Sequence, residues 1–85
     1  MIKIWGKIIS REKIAKSVII EVDEENTSFF EMLRDLSHAL NIATPVLLDK
    51  HVHDFNLFHI CEFGAGDFIE PIVFDRFMIE LMRGD

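Results

Sequence analysis

All four histidines and the only cysteine of this chain fall between residues 38 and 61, and His51, His53, His59 and Cys61 lie within one eleven-residue window. Imidazole nitrogen and thiolate sulfur suit zinc, and a closed structural site needs about four such ligands. On two strands joined by a turn, His51 and His53 share one face, as do His59 and Cys61. The pairs converge if His53 lies opposite His59. A helix through residues 51–58 breaks that set. It puts His51 and Asp54 on one face, turns His53 elsewhere and leaves His59 and Cys61 outside. The spacing matches none of the common zinc patterns. The expectation is therefore no cofactor, with a zinc-like ion on His51, His53, His59 and Cys61 as the alternative. The plainer reading is a mix of surface histidines with one packed against Phe55 or Phe58.

A reactive thiol needs a lowered pKa, from a neighbouring imidazole or a helix N-terminus. His59 is two residues from Cys61, but a cysteine between Ile60 and Phe63 reads first as a small buried apolar residue. Glu62, Asp67, Glu70 and Asp75 flank Phe63, Phe68 and Phe74. Paired carboxylates serve acid–base chemistry, yet acids spread along such a segment more simply keep it solvated. Gly64 and Gly66 lack the lysine and helix start of a phosphate loop. No catalytic residue is expected.

These residues must be positioned by a small chain. Eighty-five residues make one domain, spanning 1–85, with a modest core. The 49% hydrophobic content is slightly more than that core needs, and the surplus points to apolar surface kept for a partner. One cysteine cannot staple a secreted fold. No apolar run approaches a membrane span, and Lys3, Gly6 and Lys7 interrupt any signal-like start. The expected setting is soluble and cytoplasmic.

The net charge of −6 is unevenly spread. Residues 1–20 hold five basic side chains against one acid, and the other 65 carry a charge of −10. An acidic body argues against general nucleic-acid binding. Lys3, Trp5 and Lys7 on one strand face form only a weak base-stacking signal.

Residues 2–9 alternate apolar and polar, as a strand does, and 14–22 read as a second strand joined through Ser10–Lys13 as a hairpin. Pairing Ile8 with Ile14 gathers Ile2, Ile4, Ile8, Ile14, Val18 and Ile20 on one face, with Lys16 out of place. The other face carries Lys3, Trp5, Lys7, Ser17 and Ile19. A bulge or five-residue loop closes this hairpin. Ser28 and Glu31 fit a capping box. The helix it opens runs to about Leu40 with a stripe of Phe29, Met32, Leu33, Leu36 and Leu40, and Asn41 ends it in the left-handed conformation. Residues 44–58 carry both strand and helix signals. The favoured reading is an extended piece at 46–49, a short helix near 51–58 and extended chain at 59–63. Residues 72–82 alternate again as a closing strand, with Phe77, Ile79 and Leu81 one way and Phe74, Met78 and Met82 the other.

The pattern predicts an α+β domain: a small antiparallel sheet, built from the N-terminal hairpin and the C-terminal strand, packed on one main helix. That sheet is apolar on both faces, and one helix covers only one. The set Trp5, Ile19, Phe74, Met78 and Met82 is then an interface. The functional expectation is a non-catalytic interaction module acting as a homodimer, or meeting another protein, with the metal-binding protein as the alternative.

Overall fold

The computed structural model describes residues 1–82. The chain forms β1 (Ile2–Ser10), β2 (Lys13–Val22), α1 (Phe29–Ala39), α2 (Asp49–Phe58), β3 (Ile60–Gly64), a 3-10 turn (Ala65–Asp67) and β4 (Arg76–Met82). The four strands make one antiparallel sheet in the order β2-β1-β4-β3. The α+β class therefore holds. The sheet has one strand more than expected, and two helices rather than one main helix pack on it.

The period-2 pattern sorts the hairpin as its apolar residues demand. Ile4 and Ile8 are buried on the inner face, with Ile20 and Val18 opposite Ile4 and Gly6. Gly6 sits where α1 comes closest. A Cβ there would lie 3.0 Å from a Leu36 methyl and 3.4 Å from both Leu40 and Phe77. Phe77, Ile79, Cys61 and Phe63 complete the inner face from β4 and β3.

The expected register needs correction. Ile8 pairs with Lys16, not Ile14, and the pairing then steps to Ile9 opposite Ile14. Ala15 is the extra residue, a bulge that turns Ile14 to the outer face, where it is half exposed. The turn is also tighter than expected. Ser10 pairs with Lys13, and Arg11 and Glu12 both take left-handed backbone, with φ of 54° and 64°. Two such residues make the primed turn that suits strand twist. Asp75 braces it by accepting a 2.8 Å hydrogen bond from the Arg11 N–H.

Helix α1 forms as read. Ser28 Oγ accepts from the Glu31 N–H at 3.1 Å, and the Glu31 carboxylate accepts from the Ser28 N–H at 3.4 Å. Met32, Leu33, Leu36 and Leu40 are buried, and Asn41 follows with φ of 58°. Helix α2 starts at Asp49, two residues before the expected start, and residues 46–48 form no strand. Its C-cap, His59, is left-handed and turns the chain directly into β3. The closing strand begins at Arg76, four residues later than read. Both helices lie on the inner face. The Phe29 and Phe55 rings meet edge to face with centroids 5.2 Å apart, joining α1 to α2.

Candidate functional site

Two places merit attention: the histidine–cysteine region and the outer face of the sheet. His51 is 1% exposed. Its ring stacks on Phe63, centroids 4.1 Å apart, and its Nδ1 accepts the Leu48 backbone N–H at 3.0 Å. That bond satisfies one of the orphan donors at the start of α2. It also fixes the tautomer: Nδ1 holds the lone pair, so the neutral ring carries its proton on Nε2. Nε2 stands 3.5 Å from Asp67 Oδ2, inside ion-pair range but too long for a hydrogen bond. It has no other partner among the described residues.

The other three candidates do not join it as a set. His53 is exposed on α2. His59 caps the far end of the helix, roughly 12 Å along the axis from His51 at 1.5 Å per residue. Cys61 is buried on β3 and borders a recess of about 340 Å3 with His51, Asp54 and Glu62. Burial, then the Asp54 and Glu62 carboxylates, push its thiol up to about 12. A thiol so raised is neither a nucleophile nor a ready metal ligand near neutral pH. Among the described residues, no three His, Cys, Asp or Glu groups stand close enough to hold a metal ion. His51 is the packed histidine that the sequence anticipates, and its ring partner is Phe63 rather than Phe55 or Phe58.

The outer face is built by the opposite parity of the same strands. Trp5 lies between Ile19 on β2 and Glu80 on β4. Lys7 faces Met78, Lys3 faces Met82, and Ile60 on β3 faces Glu80. Both helices, and the apolar side chains of the connecting loops, pack on the inner side. No element among the described residues therefore lies over this face. Trp5, Met78 and Met82 are half-buried by their neighbours alone, and Ile19 is 51% exposed.

Phe74 does not belong to this set. It precedes β4, packs against the core cluster, and meets the Phe68 ring edge to face at 5.7 Å. The face instead includes Ile9, Ile14 and Ile60. Ile60 was readable from its parity against Cys61 and Phe63; Ile14 was hidden by the bulge.

At the centre of the face, the Lys7 ammonium sits 4.1 Å from the Trp5 ring centroid and 2.9 Å from Glu80 Oε1. Lys7 is only 8% exposed. Its ammonium lies over the Trp5 ring and its charge is answered there by Glu80. Among the described residues, the face carries three basic side chains (Lys3, Lys7, Arg76) and three acidic ones (Glu21, Glu62, Glu80), which its strand register interleaves.

No protein-family model, no curated protein and no solved structure matches this chain. No helix among the described residues is long and apolar enough to cross a membrane.

Proposed function

We propose that this protein is a non-catalytic interaction module of the cytoplasm that acts as a homodimer, with the outer sheet face as the contact. The observation that carries the reading is the charge-balanced, aromatic- and methionine-bearing face, over which no element of the described residues lies, in a chain of net charge −6. A second copy brought to any other acidic surface meets like charge. On this face it meets equal numbers of both signs around apolar side chains, the arrangement a two-fold interface requires of itself.

Tryptophan supplies large contact area at low entropic cost, and methionine adapts to a facing surface. Four strands at roughly 4.8 Å spacing and about seven residues at roughly 3.3 Å each give a face of roughly 450 Å2 in projection. With side-chain relief, that suits an interface at the small end of the specific class. The absence of catalysis in this reading rests on His51 being committed to the α2 cap and Cys61 being held as a neutral thiol. A lone, enclosed thiol also fits a reducing compartment.

Sedimentation velocity on the parent chain and on Met78→Asp tests it. The parent should sediment as a dimer at tens of micromolar. The variant should sediment as a monomer with unchanged circular dichroism, because Met78 touches only the outer face. A monomeric parent, or a variant that unfolds rather than dissociates, would remove the reading.

A further inference from the structure

A second feature lies at the lateral edge of the sheet. Strand β3 is an outer strand of the order β2-β1-β4-β3. The Leu81 N–H donates to the His59 carbonyl at 2.8 Å. With Cys61 paired to Ile79 and Phe63 to Phe77, that bond turns the backbone groups of residues 59, 61 and 63 toward β4. Those of Ile60, Glu62 and Gly64 therefore point away from the sheet. Gly64 is engaged, since its N–H donates to Asp67 Oδ2 at 3.0 Å. Among the described residues, no turn, loop or side-chain hydrogen bond takes up the N–H and C=O groups of Ile60 or Glu62. These donors and acceptors recur every second residue, a repeat that an extended chain matches. The opposite edge is guarded. Strand β2 carries the Ala15 bulge, and its Lys16 shares the inner face with Ile8; both features oppose strand addition. Strand β3 has no bulge, and its inner residues are Cys61 and Phe63.

The recess of about 340 Å3 runs beside this free edge, between β3 and a stripe of α2 made by Lys50, Asp54 and Phe58 at four-residue spacing. Lys50 is answered by Asp67 at 3.8 Å. Asp54 and Glu62 have no ion-pair partner among the described residues. Their field reaches into the recess, because after burial they are what raises the Cys61 thiol. Phe58 is 66% exposed.

We infer that β3 accepts an extended peptide as a fifth, antiparallel strand, with an arginine of that peptide seated in the recess. The backbone selects the strand: peptide residues opposite Ile60 and Glu62 each exchange a pair of hydrogen bonds with β3. The recess selects the arginine. The peptide residue between those two lies opposite Cys61 and projects to the same inner side, toward α2. There the Phe58 ring offers a face to a flat guanidinium, and Asp54 answers its charge. Glu62 adds a second carboxylate from the strand. An acidic side chain in that position meets two unanswered negative charges. Addition at the edge extends the sheet sideways, so it does not depend on the pairing of outer faces.

The test is a titration of acetyl-Thr-Val-Arg-Val-Thr-amide into the full chain at fixed protein concentration, with 15N-labelled amides observed by NMR. The peptide should give saturable shifts at Ile60 and Glu62. A copy N-methylated at both valines lacks the donors that face β3 and should not bind. Glutamate in place of the arginine should weaken binding at least tenfold. Asp54→Asn should weaken the arginine peptide at least threefold, leave a valine-centred peptide unchanged and keep the dispersion of the spectrum. Absence of saturable shifts at Ile60 and Glu62 overturns the inference. So does equal binding by the N-methylated or the glutamate peptide, or an arginine peptide indifferent to Asp54→Asn. Because the protein concentration is fixed, each outcome reads the peptide alone, whether the chain is a monomer or a dimer.

Discussion

Lys7 and Glu80 are bonded across adjacent strands at 2.9 Å, a diagonal pair on the outer face of the sheet, with Lys7 nearly enclosed and the Glu80 side chain 38% exposed. The two partners are therefore not equivalent. Removing the carboxylate strands a desolvated ammonium, whereas removing the ammonium leaves a carboxylate that water can reach.

Glu80→Ala should accordingly cost about 1–2 kcal/mol in urea unfolding, and Lys7→Met should cost less than about 0.5 kcal/mol or stabilise, because methionine keeps an apolar side chain of similar length in that enclosed position. Equal losses for the two variants would show that Lys7 is better solvated than its position implies.

The His51 ring serves packing and capping together. His51→Ala should destabilise by about 2–4 kcal/mol, the range for removing a large core side chain. His51→Phe keeps the stack on Phe63 and loses only the bond to the Leu48 N–H, so it should cost about 1 kcal/mol. His53→Ala, at an exposed position, should fall within about 0.5 kcal/mol of the parent. Adding and then chelating zinc should leave Tm unchanged. A Tm that rises with zinc and falls with chelator would restore the metal reading.

Cys61 gives stability a pH dependence with a definite sign. Its thiol is pushed from 9.0 to about 12, by burial first and then by Asp54 and Glu62. Unfolding lets the thiol ionise near its ordinary value, so the unfolded chain releases a proton that the folded chain retains. The contribution is intact below about pH 9 and is lost as pH rises from there toward 12. Urea midpoints should thus fall above pH 9 by an amount that Cys61→Ala removes. In the native state at pH 8 a thiol-specific disulfide reagent should not react, and it should do so at once in denaturant. Rapid native labelling would contradict the burial.

The hairpin turn is strained, and the strain is removable. Arg11 and Glu12 both occupy left-handed backbone that asparagine or glycine adopts more readily. Glu12→Gly should raise stability by about 0.5–1 kcal/mol. A loss on thermal melting would mean that the Glu12 side chain contributes more than its backbone costs.

That turn also marks where the sequence stops being informative. Alternation assigned Ile4 inward and Trp5 outward because the apolar residues repeat at period two, and the structure agrees. Register is a different matter. Pairing Ile8 with Ile14 buries as many apolar residues as pairing Ile8 with Lys16, and nothing in the residue types announces a bulge at Ala15 or a two-residue turn without glycine. Helix α1 was legible because cap, stripe and stop signal coincide in one segment. Helix α2 was ambiguous because Val46-Leu47-Leu48 before it looks like strand. In the fold, Leu47 packs on the core cluster while Val46 and Leu48 stay exposed.

Strand β3, Ile60–Gly64, reads from sequence only as extended chain, since its pairing to β4 is a long-range property. Phe74 was misplaced for a related reason. Its spacing matches Met78 and Met82, but the strand starts only after Asp75, whose carboxylate is held by the Arg11 N–H. Of the interface set, Trp5, Ile19, Met78 and Met82 do share one face. Of the histidine cluster, only His51 and Cys61 border one recess, and spacings of eight and six residues along a helix carry His59 away from His51 and His53.

The central claim is that two copies meet through the outer sheet face, and intermolecular contacts report on it most directly. A dimer mixed from one isotope-labelled and one unlabelled population allows isotope-filtered nuclear Overhauser measurement between subunits. The account predicts transfer from the Trp5 indole of one subunit to the Met78 and Met82 methyls of its partner. Transfer confined to the helix side or to the exposed Ile69 and Val73, or no intermolecular transfer at tens of micromolar, would contradict it.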